Sequence, residues 1–247
     1  MSFRREKDVI GELEVPSDAY WGINTQRALQ NFQISGKKFP KIFIISLAQL
    51  KKACLLANID LGLIDIEVGN AILQAINEIL KENKFLDQFP VDIFQTGSGT
   101  QINMNINEVL ANRATQILGF PMGKKTPVHP NDHVNMCQSS NDVIPSTMHL
   151  SVIHMISKLA LVLHKLVEVL SDKIEEFTNI IKVGRTHLQD AVPIPLSLEF
   201  KVYRKQIETS IERFKNVLEE LLYIPIGGTA LGTGLNAHID FSRLTIS

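Results

Sequence analysis

The chain has 247 residues, 45% of them hydrophobic, with a formal net charge of −1 and a pI of about 6.7. That is enough apolar material for a large core in one or two domains, and the balanced charge argues against broad nucleic-acid binding, which needs a basic face. No apolar run reaches the roughly 18 residues that a membrane helix requires. The charged start, Met1 to Asp8, has no apolar h-region for a secretory signal, and its early acidic residues speak against a transit peptide. Cys54 and Cys137 have neither metal-ligand spacing nor a disulfide framework. A cytoplasmic protein with reduced thiols and no membrane partner is expected.

In chain order, residues 9–35 read as short extended pieces and turns, and Gly11 to Pro16 alternate like a strand that ends at proline. Pro40 starts a helix running to about Ile59, with Gly62 just beyond its end. A second helix is predicted from Ile66 to Lys81 and a third from about Asn103 to Gly119. Two long apolar patterns follow, with steps of three and four residues. The first runs through Ile144, Met148, Val152, Met155, Leu159, Leu163, Leu166 and Leu170. The second runs through Phe200, Tyr203, Ile207, Ile211, Phe214, Leu218 and Leu221, close to a coiled-coil repeat. At 1.5 Å per residue each helix extends on the order of 35–45 Å. Val162, Val167, Val202 and Val217 lie off the stripes and widen them, so these helices are expected to pack against further helices, in this chain or in other subunits. The expected fold is mainly α: a mostly helical N-terminal domain over 1–138, then over 139–247 the first long helices of an elongated bundle.

Three polar clusters can carry chemistry. The first, Thr96 to Glu108, sets hydroxyl, amide and carboxylate side chains around Gly97 and Gly99, immediately before the apolar run Val109, Leu110 and Ala111. Polar groups pressed against a core must find partners, in the protein or in a ligand. An ordinary capped loop is the alternative. The second cluster, His129 to Asp142, precedes the first long helix. Ser139 or Ser140 can begin capping that helix, whose exposed N–H groups suit an anion. His129, Asp132 and His133 are close in sequence, but they do not sit on a predictable helix face, so no metal site is expected. A Ser–His–Asp triad lacks its nucleophile elbow. The third cluster, Gly184 to Ala191, joins the long helices at one end of the bundle. Its His187 is a candidate general acid or base, or a packing or capping histidine. The glycine-rich Ile226 to Gly234 has no preceding strand and no following lysine of a nucleotide loop, and reads better as a tight turn.

Taken together, these segments resemble the fumarase/aspartase superfamily, and most closely its class II fumarases. The resemblance begins at Gly11–Pro16, Tyr20-Trp21-Gly22, Thr25–Ala28 and Asn31-Phe32. It continues through Ser98–Gln101, His129–His133, Ser139–Asp142, Gly184–His187 and Gly227–Ala230. Aspartases typically carry glutamine, threonine and asparagine where this chain has His187, Ser140 and His129, and lack the Ser-Gly-Thr-Gln form of the first motif. Leu188 to Pro193 looks more like aspartase.

The resemblance implies reversible hydration of fumarate to L-malate in the tricarboxylic acid cycle, with no metal or organic cofactor. It assigns Ser98, Thr100, Ser139, Ser140, Asn141 and Thr186 to substrate binding, and His187 to catalysis at the water or hydroxyl. His129, Asn131 and Asp132 would form a second carboxylate site. Family members run to nearly twice this length, and their sites are assembled from three subunits of a homotetramer. Their Gly-Ser-Ser-x-Met-Pro-x-Lys-x-Asn loop, which carries the serine base, does not occur in this sequence. Neither do the glutamate that pairs with the histidine, the remaining bundle helices or the small C-terminal domain. The expectation is an N-terminal part of such an enzyme, inactive alone. Aspartate ammonia-lyase and a non-catalytic interaction module are the alternatives.

Overall fold

The computed structural model describes residues 2–247. Strand β1 (Phe3–Lys7) pairs antiparallel with β2 (Glu12–Pro16), Phe3 opposite Pro16 and Lys7 opposite Glu12. The alternation at 12–16 announces β2, but the charged β1 gives no such signal. Its Arg4 guanidinium donates to the carbonyls of Pro16, Ala19 and Trp21 at 2.6–2.9 Å, which fixes the chain that follows. Helix α1 (Ile23–Asn31) stands where only turns and extended pieces were expected. It has no side-chain cap of its own. Instead the buried Glu108 carboxylate, 83–86 residues away, accepts the N–H groups of Gly22, Asn24 and Thr25. A Cβ on Gly22 would lie 2.9 Å from that carboxylate, so glycine is required for the approach.

Helices α2 (Lys41–Asp60) and α3 (Ile66–Glu82) follow the predicted spans closely. Asp65 caps α3 through the N–H of Glu67 at 2.9 Å, and Asn83, left-handed at φ 54°, ends it. Helix α4 (Thr100–Ile117) starts three residues earlier than expected, because Gly99 at φ +70° turns the chain straight into it. Then come α5 (Ser140–Glu176), the antiparallel hairpin β3 (Ile181–Thr186) and β4 (Gln189–Pro195), α6 (Ser197–Leu221) and the short α7 (Phe241–Ile246).

The chain forms two compact units. One comprises Met1–Ser151 and Ile224–Ser247, so the anticipated junction at 138/139 falls inside it. Its core packs Leu47, Cys54, Ile72, Ile76, Ile102 and Leu110 of α2, α3 and α4 with Val143 of α5, Ile226 and Phe241. The other, Val152–Tyr223, is built from the rest of α5, the hairpin and α6. Here Phe177, Phe200 and Tyr203 stack edge-to-face at 5.0 and 5.8 Å, and Ile174 and Ile211 are buried. Much of the remaining apolar surface of both helices is exposed, including Met155, Leu159, Val162, Val202 and Val217.

One expectation is corrected. Although no apolar run is uninterrupted, α2 and α5 are each long and apolar enough on average to cross a membrane by length and composition. Single polar residues such as Ser46 and His154 break the run but leave the mean hydropathy of each helix's apolar window at 1.6. The apolar window of α2 is mostly buried in the core, whereas that of α5 is mostly exposed.

Candidate active site

The first cluster forms the turn into α4. Ser98 Oγ and Thr100 Oγ1 lie 3.1 Å apart, both on exposed residues, while Thr96 Oγ1 donates to Gln101 Oε1 at 2.5 Å. Gly99 between them is buried against α5. A Cβ there would stand 2.8 Å from Cγ1 and Cγ2 of Ile144, so this glycine answers both a positive φ and a close approach. Beside the turn is a groove of about 270 Å³, lined by Asn24, Arg27, Asn31, Phe32, Thr100 and Gln101 among others. Arg27 is committed to Asp8 at 2.9 Å.

The second cluster opens α5 with a capping box. Ser139 Oγ accepts the N–H of Asn141 at 3.3 Å, and Asp142 Oδ1 reaches back to the N–H of Ser139 at 2.9 Å. Asp142 Oδ2 accepts the N–H groups of Gly227 (3.2 Å) and Thr229 (2.9 Å), and Asn141 Nδ2 donates to the Ala230 carbonyl at 2.7 Å. The glycine-rich segment is therefore a tight turn docked on the start of α5. Gly227, at φ +88°, would bring a Cβ to 2.7 Å from Ser242.

Asn131 and Asp132 lie in a π-helical turn at Pro130–Val134, and His129, extended, is its N-cap. His129 Nδ1 accepts the N–H groups of Asn131 (3.3 Å) and Asp132 (3.1 Å), and the Asp132 carboxylate stands 3.1 Å from the same nitrogen. His129 in turn donates its own N–H to His133 Nδ1 at 2.9 Å. Burial pulls the pKa of His133 down against the opposing pull of Asp132, which suits a neutral acceptor nitrogen. Histidine thus caps this turn much as a serine caps a helix. Among the described residues no group of three or more His, Cys, Asp or Glu side chains is placed to hold a metal ion.

Between these clusters runs a buried polar network. Lys51, 1% exposed on α2, donates from Nζ to Asn135 Oδ1 (2.9 Å) and Gln138 Oε1 (2.8 Å). Burial holds its pKa down to about 7, with Cys54 and Asp142 pulling the other way. Asn103 Nδ2 donates to Asn135 Oδ1 and to Ser140 Oγ, each at 3.1 Å. The first unit therefore joins the Ser98–Thr100 turn, through Asn103, to Ser140 at the head of α5.

Thr186 and His187 belong to the other compact unit. Thr186 pairs with Gln189 and closes a two-residue turn in which His187 (φ 50°) and Leu188 (φ 64°) are both left-handed. Positive φ at both central residues is the type I′ pattern that matches strand twist. His187 sits exposed at this tip, with Arg185 and Asp190 paired at 3.3 Å just behind it.

The sequence profile of a lyase family matches residues 11–247. The chain belongs to this lyase family. It is 50% identical over 240 residues to the class II fumarate hydratase of Halobacterium salinarum, covering 97% of this chain and 51% of that protein. It is 48% identical to the mitochondrial fumarate hydratase of Rhizopus oryzae, covering 97% of this chain and 49% of that one. The crystal structure of recombinant class II fumarase from Schistosoma mansoni superposes with a TM-score of 0.93 at 39% identity, over 99% of this chain and 51% of that chain. A Brucella melitensis structure described as fumarate lyase:delta crystallin bound to cobalt gives 0.94 at 40% identity, over 99% and 53%. The lyase chain thus has the fumarase fold and spans about half the length of the curated relatives it matches.

Sequence reasoning missed Lys51. Its signal was present: with Leu47, Cys54 and Asn58 it occupies one face of α2 at steps of four, three and four, a lysine on a buried stripe.

Proposed function

We propose that this lyase carries part of the active centre of a class II fumarate hydratase, which adds water reversibly to fumarate to give L-malate in the tricarboxylic acid cycle. The observation that carries the reading is the Asn103 bridge, which joins the Ser98–Thr100 turn to Ser140 at the start of a long helix. It does so in a chain half identical to a fumarate hydratase.

Ser98, Thr100, Ser139, Ser140, Asn141 and Thr186 offer neutral donors to a small dicarboxylate. Removing a proton beside a carboxylate builds an aci-carboxylate with extra negative charge. Donors held in place before the reaction stabilise that charge more in the transition state than in the ground state. His187 exchanges the proton of the water or hydroxyl. His129, Asn131 and Asp132 form a second carboxylate site. No cofactor enters this scheme.

Residues 1–138 act as the N-terminal lyase domain and 139–247 as part of the central helix bundle. The working assembly is a homotetramer in the cytoplasm, with no nucleic-acid or membrane partner. The 247 residues alone are inactive, because the serine, lysine and asparagine of the family's loop do not occur among them. Aspartase is the lesser alternative. A non-catalytic interaction module is the second reading, and the exposed apolar stripe of α5 favours it.

The test is fumarate consumption, followed by ultraviolet absorbance, for the purified chain alone and mixed with the C-terminal half of a class II fumarate hydratase. Silence alone and activity on mixing are expected. An enzyme-like rate from the chain alone refutes its dependence on a missing loop. A mixture that associates but neither binds nor hydrates fumarate refutes the hydratase reading and leaves the interaction module.

A further inference from the structure

The network beneath Ser140 has a direction. The two N–H groups that Lys51 sends out meet Asn135 Oδ1 and Gln138 Oε1. Nζ has enough N–H groups to donate to both whether it is the ammonium or the neutral amine, and both side chains turn their oxygens toward it. Their nitrogens confirm that orientation: Asn135 Nδ2 donates to the Gln138 carbonyl at 3.2 Å, and Gln138 Nε2 donates to the carbonyls of Val134 and Met136 at 3.1 and 3.0 Å. Asn135 Oδ1 is therefore locked as an acceptor, and the neighbouring group that points at it must be a donor. That group is Asn103 Nδ2.

The same nitrogen points at Ser140 Oγ. Turning the Asn103 amide over would set its oxygen against Asn135 Oδ1, oxygen to oxygen. In the orientation adopted, Asn103 Oδ1 is buried with no partner, a cost that the two N–H contacts must offset. Ser140 is thereby forced to accept from inside the protein, and its single hydroxyl hydrogen is left for a group outside.

We infer that Asn103, held in one orientation by Lys51 through Asn135, is a positioning residue that makes Ser140 a hydrogen-bond donor to a bound carboxylate. The inference rests on the dicarboxylate reading above. Its chemistry is specific: a carboxylate only accepts, so a serine that spends its hydrogen inward offers it nothing.

The isosteric change Asn103→Asp replaces the donor with acceptors and draws the Ser140 hydrogen inward. The test compares fumarate affinity, by titration calorimetry on the full chain mixed with the C-terminal half of a class II fumarate hydratase, for wild type, N103D, S140A and N103D/S140A. Each single change is expected to weaken binding about tenfold, the scale of one hydrogen bond to a charged group. The double change should be no weaker than either single one, because Asn103 acts through Ser140. Additive losses, or N103D binding as wild type does, overturn the inference.

A ligand-free arm separates its failure from that of the hydratase reading. In 15N-labelled wild-type protein the Asn103 side-chain amide should be slow to exchange, should shift on S140A, and should exchange at least about tenfold faster in K51M, while backbone amides of α4 stay protected. If wild type binds no fumarate even when it associates with the C-terminal half, the dicarboxylate reading fails and this signature alone decides the orientation. An unprotected Asn103 amide in wild type, or one indifferent to K51M, overturns it.

Discussion

Glu108→Gln asks whether α1 is held from a distance. In the native chain Glu108 Oε2 accepts from the N–H groups of Gly22 (2.9 Å) and Thr25 (3.0 Å) and from the Thr25 hydroxyl (2.6 Å). Oε1 accepts from the N–H of Asn24 (2.8 Å) and from its Nδ2 (2.9 Å). Glutamine keeps one acceptor oxygen. Placed at Oε2 it preserves three contacts as neutral bonds, and its NH2 then faces both donors of Asn24. Two donors left without an acceptor cost about 1–3 kcal/mol each, and the surviving bonds weaken as the charge is lost. A total loss of about 3–5 kcal/mol is expected, as a lower urea midpoint by circular dichroism. One response opposes it. Burial, with a contribution from Glu108, holds the Glu6 carboxyl above its usual range against the pull of Arg4, so a neutral residue 108 lets Glu6 ionise more readily beneath the N–H of Ile23. Hydrogen exchange localises the damage: the amides of Asn24 and Thr25 should lose protection before those of α4. A loss below about 1 kcal/mol, or uniform loss of protection, would refute the idea that this carboxylate builds α1.

Four further changes have defined outcomes. Gly99→Ala places a Cβ 2.8 Å from Ile144 at φ +70°, and should cost about 1–3 kcal/mol in a urea melt, partly recovered by adding Ile144→Ala. Asp142→Ala removes the acceptor for Gly227 and Thr229, so limited proteolysis should cut within 226–240 faster while α2 and α3 stay intact. Hydrogen bonds from Arg113 at 2.7 Å hold the Glu78 carboxyl below its ordinary 4.5. A depressed folded pKa gives stability that is present above the ordinary value and lost as pH falls through the folded one, so Arg113→Met should flatten the acid limb of a stability-against-pH curve. Lys51 is lowered by burial from 10.5 to about 7, so the unfolded chain binds more protons above pH 7 and wild-type stability should rise with pH from about 7 to 9, above which Cys54, raised by burial from 9.0 to about 12, opposes it; Lys51→Met should remove the rise below pH 9.

The parts legible in the sequence are those whose cause is local. The span predicted for 66–81 is observed at Ile66–Glu82 because its apolar period, its Asp65 cap and its Asn83 terminator lie within or beside it. Ser139 caps α5 by the same logic, with Asp142 three residues on. The features that escaped are fixed by residues far away. Helix α1 depends on Glu108, and β1 depends on Arg4 reaching the carbonyls of 16–21. The hairpin that carries Thr186 and His187 was concealed differently: its turn uses His187-Leu188 where Asn-Gly would have announced it, and its strand β4 carries Pro193 and Pro195. The site followed the same division. Motif residues were visible as polar clusters, but the link from Asn103 to Ser140 spans 37 residues and exists only once α4 and α5 meet.

Helix α5 shows why one pattern can be read correctly and still not be satisfied. Ser146, Thr147 and Ser151 turn their hydroxyls onto carbonyls one turn back at 2.7–2.8 Å, in a stretch that the first compact unit buries. That back-bonding hides a polar group in its own helix, so the helix can be packed without finding partners elsewhere. Ser157, Ser171 and Thr178 do the same farther along or just past its end, at 2.8–2.9 Å. Yet beside them Met155, Leu159, Val162 and Leu166 are exposed. An apolar stripe flanked by hydroxyls that need no outside partner is fitted to a dry protein interior rather than to water. The chain therefore encodes more burial along α5 than its own residues provide, which is the physical ground for placing this helix in a larger bundle.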